Sequence, residues 1–239
     1  NLVNSEGFLD IKTSGTLSFV PPTSQSFGSN QTFPFRSSTI DVGGLIVGSE
    51  TNTVVVTAGA PVSSTGNITY SGGSFTQASS SATLSATSSG STIRILADSS
   101  IALSAALQAS NNGIVLLEPR VSGTGIRVGG TNASTMLLTA SELETHISTT
   151  TLRLGDRDRT GNVIINSNLN LTGKAQNLAI RSNANVSAGA GVVVTVANLG
   201  IDAGGTISFP GTGGAASVIA LNAGGVTFNQ SANYSVAVV

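Results

Sequence analysis

Asp156 and Asp158, one residue apart in "DRDRTG" (156–161), come nearest in this chain to the spacing of a metal site. Acidic residues at positions 1 and 3, with Gly161 at position 6, open a calcium-binding loop. The pattern then fails, because Thr160 holds the fifth position and Ser167 stands where a bidentate Glu belongs. Arg157 and Arg159 also neutralise the pair. An ion-paired turn is the favoured reading, with calcium at Asp156 and Asp158 as the alternative. His146 is the sole histidine; in "TASELETHIS" Thr139 and Glu142 form a capping box, which puts Glu142 and His146 one helical turn apart. No third ligand or zincin pattern accompanies them. With no Cys, thiolate metal sites and disulfides are excluded. The acids are scattered, whereas glycoside hydrolysis needs two paired carboxylates. A repeat of about 20 residues could superpose Asp98 and Glu118 on adjacent levels, with Arg94 and Arg120 available to pair with them. The reading is a protein that is not an enzyme and has no cofactor.

The elements that must carry these residues are legible from composition. Only 9% of the 239 residues are charged and the net charge is -1, against about 25% charged in ordinary domains. No apolar run approaches the ~20 residues of a spanning helix, so membrane insertion is not expected. Without a basic surplus, nucleic acid is not expected as a partner either. Short apolar bursts, 39% hydrophobic residues and low net charge argue against disorder. Aromatics are only 4% and Gly numbers 29, which suits a narrow core of small and β-branched side chains.

Those bursts alternate apolar with polar and end in Gly, Asn or Ser, the mark of strands. They read "TIRIL" (92–96), "SIALS" (100–104), "GIVLLE" (113–118), "GIRVG" (125–129), "TLRLG" (151–155), "NVIIN" (162–166), "NLNLT" (168–172), "NLAIR" (177–181), "VVVTV" (192–196), "TISF" (206–209), "VIALN" (218–222) and "VTFN" (226–229). Leu178, Leu199 and Ile219 fall into one register at a period of about 20 residues. Short strands at such a period, with few helices between them, predict an all-β parallel β-helix, or β-solenoid, of roughly ten coils. The capping box predicts one short helical insertion near 139–147, protruding from a corner. "NNG" at 111–113 is the nearest thing to a hairpin signal and fits a solenoid corner equally well.

From Gly113 onward the chain resembles the repeats of filamentous-haemagglutinin-like secreted exoproteins. The resemblance spans residues 113–239 and is carried in order by "LLTASELETHI" (137–147), "TLRLGDRDRTGNVIINSNLNLT" (151–172), "NLAIRSNANVSAGAGVVVTVANLGIDAGGTISF" (177–209) and "VIALNAGGVTFN" (218–229). It implies a right-handed parallel β-helix in bacterial surface fibres and adhesins, secreted to the exterior or cell surface. The Asn-Pro-Asn motif of that family's secretion domain does not occur in this sequence.

Residues 1–50 differ from the rest: a Pro- and Phe-rich stretch at 19–36 reads as a cap on the first coil or as a subunit contact. Residues 51–239 read as the solenoid body, with 230–239 as an edge strand. The final residues, Tyr234 to Val239, are apolar, strand-forming and uncharged, so nothing blocks edge pairing. The expected contact is head to tail between copies. Phe8, Leu9, Ile11, Leu17 and Phe19 would lie on one side, and Tyr234, Val236 and Val238 on the other. The leading functional reading is a structural protein of an extracellular fibre, a homopolymer of this chain. The alternative is the shaft of a surface adhesin, with cell-surface or matrix polysaccharide as a further partner class. A polysaccharide-acting β-helix enzyme ranks third.

Overall fold

A computed structural model describes residues 10–22, 25–33, 39–131, 135–209, 218–228 and 235–238. Among them are 24 strands and one helix, so the chain is all-β. Every strand pairing is parallel. Hairpins make antiparallel neighbours, so hairpin-built sandwiches and up-and-down barrels do not describe it.

Twelve strands form the largest sheet, and two apolar columns run through it from edge to edge. The first steps through Leu17, Leu45, Ile68, Ile93, Val115, Leu152, Leu178, Leu199, Ile219 and Val236. The register of Leu178, Leu199 and Ile219 is the one their spacing predicts. The second column lies two residues further along each strand: Phe19, Val47, Tyr70, Ile95, Leu117, Leu154, Ile180, Ile201, Leu221 and Val238. From Leu45 to Leu199 and from Val47 to Ile201 these side chains are buried. Each removes apolar surface worth about 1.5–3 kcal/mol for a Val, Leu or Ile, and alternate residues turn outward, as strand geometry requires.

A shorter column precedes these two in the same sheet: Ile11, Ile40, Val62, Leu84, Leu107 and Ile147, of which Val62 and Leu84 lie on short strands of their own, Val62–Ser64 and Leu84–Ala86. Long strands carry both sets. In Leu107–Glu118 the two halves are joined by a register shift, where Asn111 and Asn112 take φ of 52° and 65°. The short column's strand segments reach Ala175, paired with Thr149, and have no successor, because Asn198–Ala203 begins opposite Asn177. The step from Leu152 to Leu178 is 26 residues; from Leu178 to Leu199 it is 21.

Three smaller sheets complete the fold. Gln31–Thr32, Val55–Ala58, Ser74–Gln77 and Ile101–Ala102 form one of four strands. A six-stranded sheet runs from Thr135–Leu138 through Gly125–Val128, Val163–Ile165, Val186–Ala188 and Thr206–Phe209 to Gly225–Phe228. Leu169–Asn170 and Val194–Thr195 form a pair.

The helix is Ala140–His146, and its capping box is formed as the sequence predicts: Glu142 N–H donates to Thr139 Oγ1, and Glu142 Oε2 accepts from Thr139 N–H. It does not simply protrude. Glu142 Oε1 accepts from Leu103 N–H at 3.0 Å, and Glu144 Oε1 accepts from Asn170 N–H at 2.6 Å. The helix thus bridges the last strand of the four-stranded sheet and the first of the two-stranded one. A helix cannot offer ladder hydrogen bonds to a strand, so its carboxylates supply acceptors instead. Leu143 beneath it is fully buried; Ile147 opens the strand Ile147–Leu154 and belongs to the short column.

Candidate functional site

The charged residues gather where strands of the large sheet run into turns. Arg94 projects outward between Ile93 and Ile95 and pairs with Glu118, whose side chain is fully buried. Arg120 pairs with Asp98 at 2.5 Å and donates to Glu50 O. Arg159 reaches the Glu50 carboxylate at 3.0 Å, and Arg157 that of Asp202 at 3.0 Å. Asp98 and Glu118 are not stacked on each other: Glu118 lies level with Leu96, and each carboxylate takes an arginine. Arginine's planar fork suits this role, since one guanidinium can bridge two levels.

Asp156 and Asp158 sit in the same row. The Asp156 carboxylate accepts from Asp158 N–H at 3.0 Å and pairs with Arg153 at 3.5 Å, and Asp156 N–H donates to buried Thr160 Oγ1. The "DRDRTG" turn is therefore ion-paired, with Arg153, Arg157 and Arg159 serving three different carboxylates. The Asp158 side chain is exposed. Among the described residues no group of three or more His, Cys, Asp or Glu is placed to hold a metal ion. His146 ends the helix half-buried. Burial raises the Glu118 pKa above the ordinary glutamate value despite the opposing pull of Arg94, and burial followed by Arg181 lowers that of Arg153.

The expected contact residues divide between the two edges of the large sheet. Asp10–Phe19 pairs with Thr39–Gly48 and, among the described residues, with nothing on its other side. Ile11, Leu17 and Phe19 are half-buried and pack on the core, and the Phe19 ring stacks on Phe27 at 5.3 Å and Phe33 at 5.0 Å. Buried Asn52 anchors the Phe27 segment, accepting from Phe27 N–H and donating to Ser71 O. Tyr70 O–H donates to Phe33 O at 2.8 Å. Strands on either side of residue 50 pair within the same sheet, with Leu45 level with Ile68. At the opposite edge, Ser235–Val238 pairs, among the described residues, only with Val218–Asn222, placing Val236 level with Ile219 and Val238 with Leu221. Phe8, Leu9 and Tyr234 lie outside the described residues.

A set of asparagines escaped the sequence reading. Asn30, Asn67, Asn162, Asn168 and Asn185 each stand directly before a strand, and each side-chain Oδ1 accepts a backbone N–H at the entry of the next level's strand. The donors are Val55, Thr92, Asn185, Val193 and Thr206, at 2.8–3.1 Å. For four of them the signal was present, as Asn followed at once by an apolar strand start (Ile68, Val163, Leu169, Val186); Asn30 precedes the polar Gln31. Comparison with protein-family models, curated proteins and solved structures finds no match for this chain.

Proposed function

We propose that this chain is a non-catalytic, secreted structural protein: a right-handed β-solenoid whose copies stack head to tail into an extracellular fibre. Uniformly parallel pairing with a single short helix among the described residues supports the solenoid, because parallel strands are otherwise usually joined by helical crossovers. The resemblance of residues 113–239 to filamentous-haemagglutinin-like exoproteins supports the handedness and the secreted location.

One observation carries the assembly. The same two apolar columns reach both edge strands, and each edge strand is paired on one side only among the described residues. Placing Ser235–Val238 of one copy beside Asp10–Phe19 of the next brings Val236 level with Leu17 and Val238 level with Phe19. That step repeats the parallel register of every internal step. A contact of this kind does not close, so it propagates. Residues 16–19 (TLSF) and Ser235–Val238 (SVAV) carry no charge, and uncharged free edges favour such pairing.

The test is electron microscopy and sedimentation at rising protein concentration. The wild-type chain is expected to form long uniform filaments. Val236→Lys with Val238→Lys should leave folded single particles by circular dichroism. A doubly substituted chain that still polymerises, or a wild-type chain that stays monomeric when concentrated, contradicts the proposal.

A further inference from the structure

The loss of the short column leaves a space. Five residues fewer separate Leu178 from Leu199 than separate Leu152 from Leu178, and beside the point where those residues drop out lies a groove of about 920 Å³. This is at the upper end of the 300–1,000 Å³ typical of ligand clefts. The groove is lined by the side chains of Ser110, Ser148, Thr150, Thr172, Gln176 and Thr195, none of which makes a hydrogen bond within the protein among the described residues. Lys174 joins them with no ion pair among the described residues, and the lining contains no carboxylate and no aromatic ring. Asn111 and Thr149, also in the lining, have their side chains bonded to Thr87 O and Gly113 O.

Six unengaged hydroxyl and amide groups around one free ammonium are a specific chemistry. Hydroxyls both donate and accept, which matches a ligand that itself presents alternating hydroxyls. One cation is too few for a polyphosphate or nucleic acid backbone. The free strand edge here, Ala175 and Gln176, is too short for an added peptide strand. We infer that this groove binds a linear acidic polysaccharide, with a uronate carboxylate on Lys174 and sugar hydroxyls on the surrounding Ser, Thr and Gln side chains. The inference does not depend on fibre formation. With no ring to stack on a sugar face, a single groove should bind a tetrasaccharide with a Kd on the order of 1 mM. Copies repeated along a fibre would raise the effective affinity by multivalency.

The probe is tetragalacturonate, with its fully methyl-esterified form as a neutral control of the same shape, read by saturation-transfer difference NMR. That measurement reports on the ligand and works for single particles and large assemblies alike. Saturable transfer to tetragalacturonate is expected, with the methyl ester at least about five-fold weaker. Lys174→Gln should remove that preference. Gln176→Ala with Thr195→Ala should weaken both ligands about ten-fold, through loss of hydrogen bonds. Circular dichroism should show every variant folded, since Gln176 is exposed and Lys174 and Thr195 are half-buried. The inference is overturned by absence of saturable transfer up to roughly 10 mM. Equal binding of acid and ester, or a preference for the acid that survives Lys174→Gln, overturns it as well.

Discussion

At the scale of single residues, two polar devices hold successive levels together, and each makes a measurable prediction. The first is the strand-entry asparagine. Asn185 Oδ1 accepts from both Thr206 N–H and Thr206 Oγ1–H, so Asn185→Ala strands both donors. The groups are exposed and water can replace the lost acceptor, which limits the cost to about 0.5–1.5 kcal/mol in denaturant unfolding. Asn183→Ala, at another exposed Asn in the same turn but with no side-chain bond to the next level, should cost less; equal losses would show that Asn185 is no clamp. The second device is Glu118. Burial raises its pKa, Asp156 adds to that, and Arg94 and Arg159 oppose it. The folded chain therefore holds this proton more tightly than the unfolded chain does. Stability gained through Glu118 begins as the pH falls through the raised folded pKa and is complete near the ordinary glutamate value. Glu118→Gln removes the titration. The wild-type thermal midpoint, measured against that of the variant, should climb as the pH falls from neutral towards 4.5. A flat or declining difference would mean that the ion pair with Arg94 outweighs burial.

At the scale of elements, the helix Ala140–His146 shows how one side chain can stand in for a strand. Glu142 completes the capping box with one oxygen and satisfies Leu103 N–H with the other. Glu142→Ala should cost about 1–3 kcal/mol, the sum of a lost cap and an unsatisfied amide; a loss below ~0.5 kcal/mol would leave the helix a mere appendage. The capping box was legible because it depends on four adjacent residues. The bridging role was not, because nothing local links residue 142 to residues 103 and 170. The same contrast holds for the strands. Bursts rich in Val, Ile and Leu, such as Thr92–Leu96 and Thr206–Phe209, announce themselves by alternation. Val62–Ser64 and Leu84–Ala86 place one large apolar residue beside Ser and Ala, too little contrast for a period to register. The short column was hidden with them, and so was the groove that its ending leaves open. Asp156 and Asp158 could be read as an ion-paired turn because the arginines are interleaved with them, but the partners Glu50 and Asp202 are far off in sequence.

At the scale of the whole molecule, the two columns make stability a matter of neighbours. A central strand such as Ile147–Leu154 has partners on both sides, Leu107–Glu118 and Ala175–Ser182. Asp10–Phe19 and Ser235–Val238 have one each among the described residues. In an array whose parts contact only adjacent parts, stability is close to a sum of unit and interface terms, and units at the ends open first. Amide exchange of the dilute, unassembled chain should therefore be slowest around residues 93–95, 115–117 and 152–154 and should quicken towards both edges. The two edges should not behave alike. Phe19 is stacked on Phe27 and Phe33, whose segment is anchored by Asn52, so residues 17–19 should exchange more slowly than 235–238. Head-to-tail pairing would give each edge strand its second partner. Exchange at 10–19 and 235–238 should then slow together, by a similar factor, as concentration rises through the onset of assembly, while the central strands stay unchanged. If only one edge gains protection, copies are joined by some other surface. If the edges are already as protected as the centre in the dilute chain, each is held within its own molecule and has no unpaired side to offer.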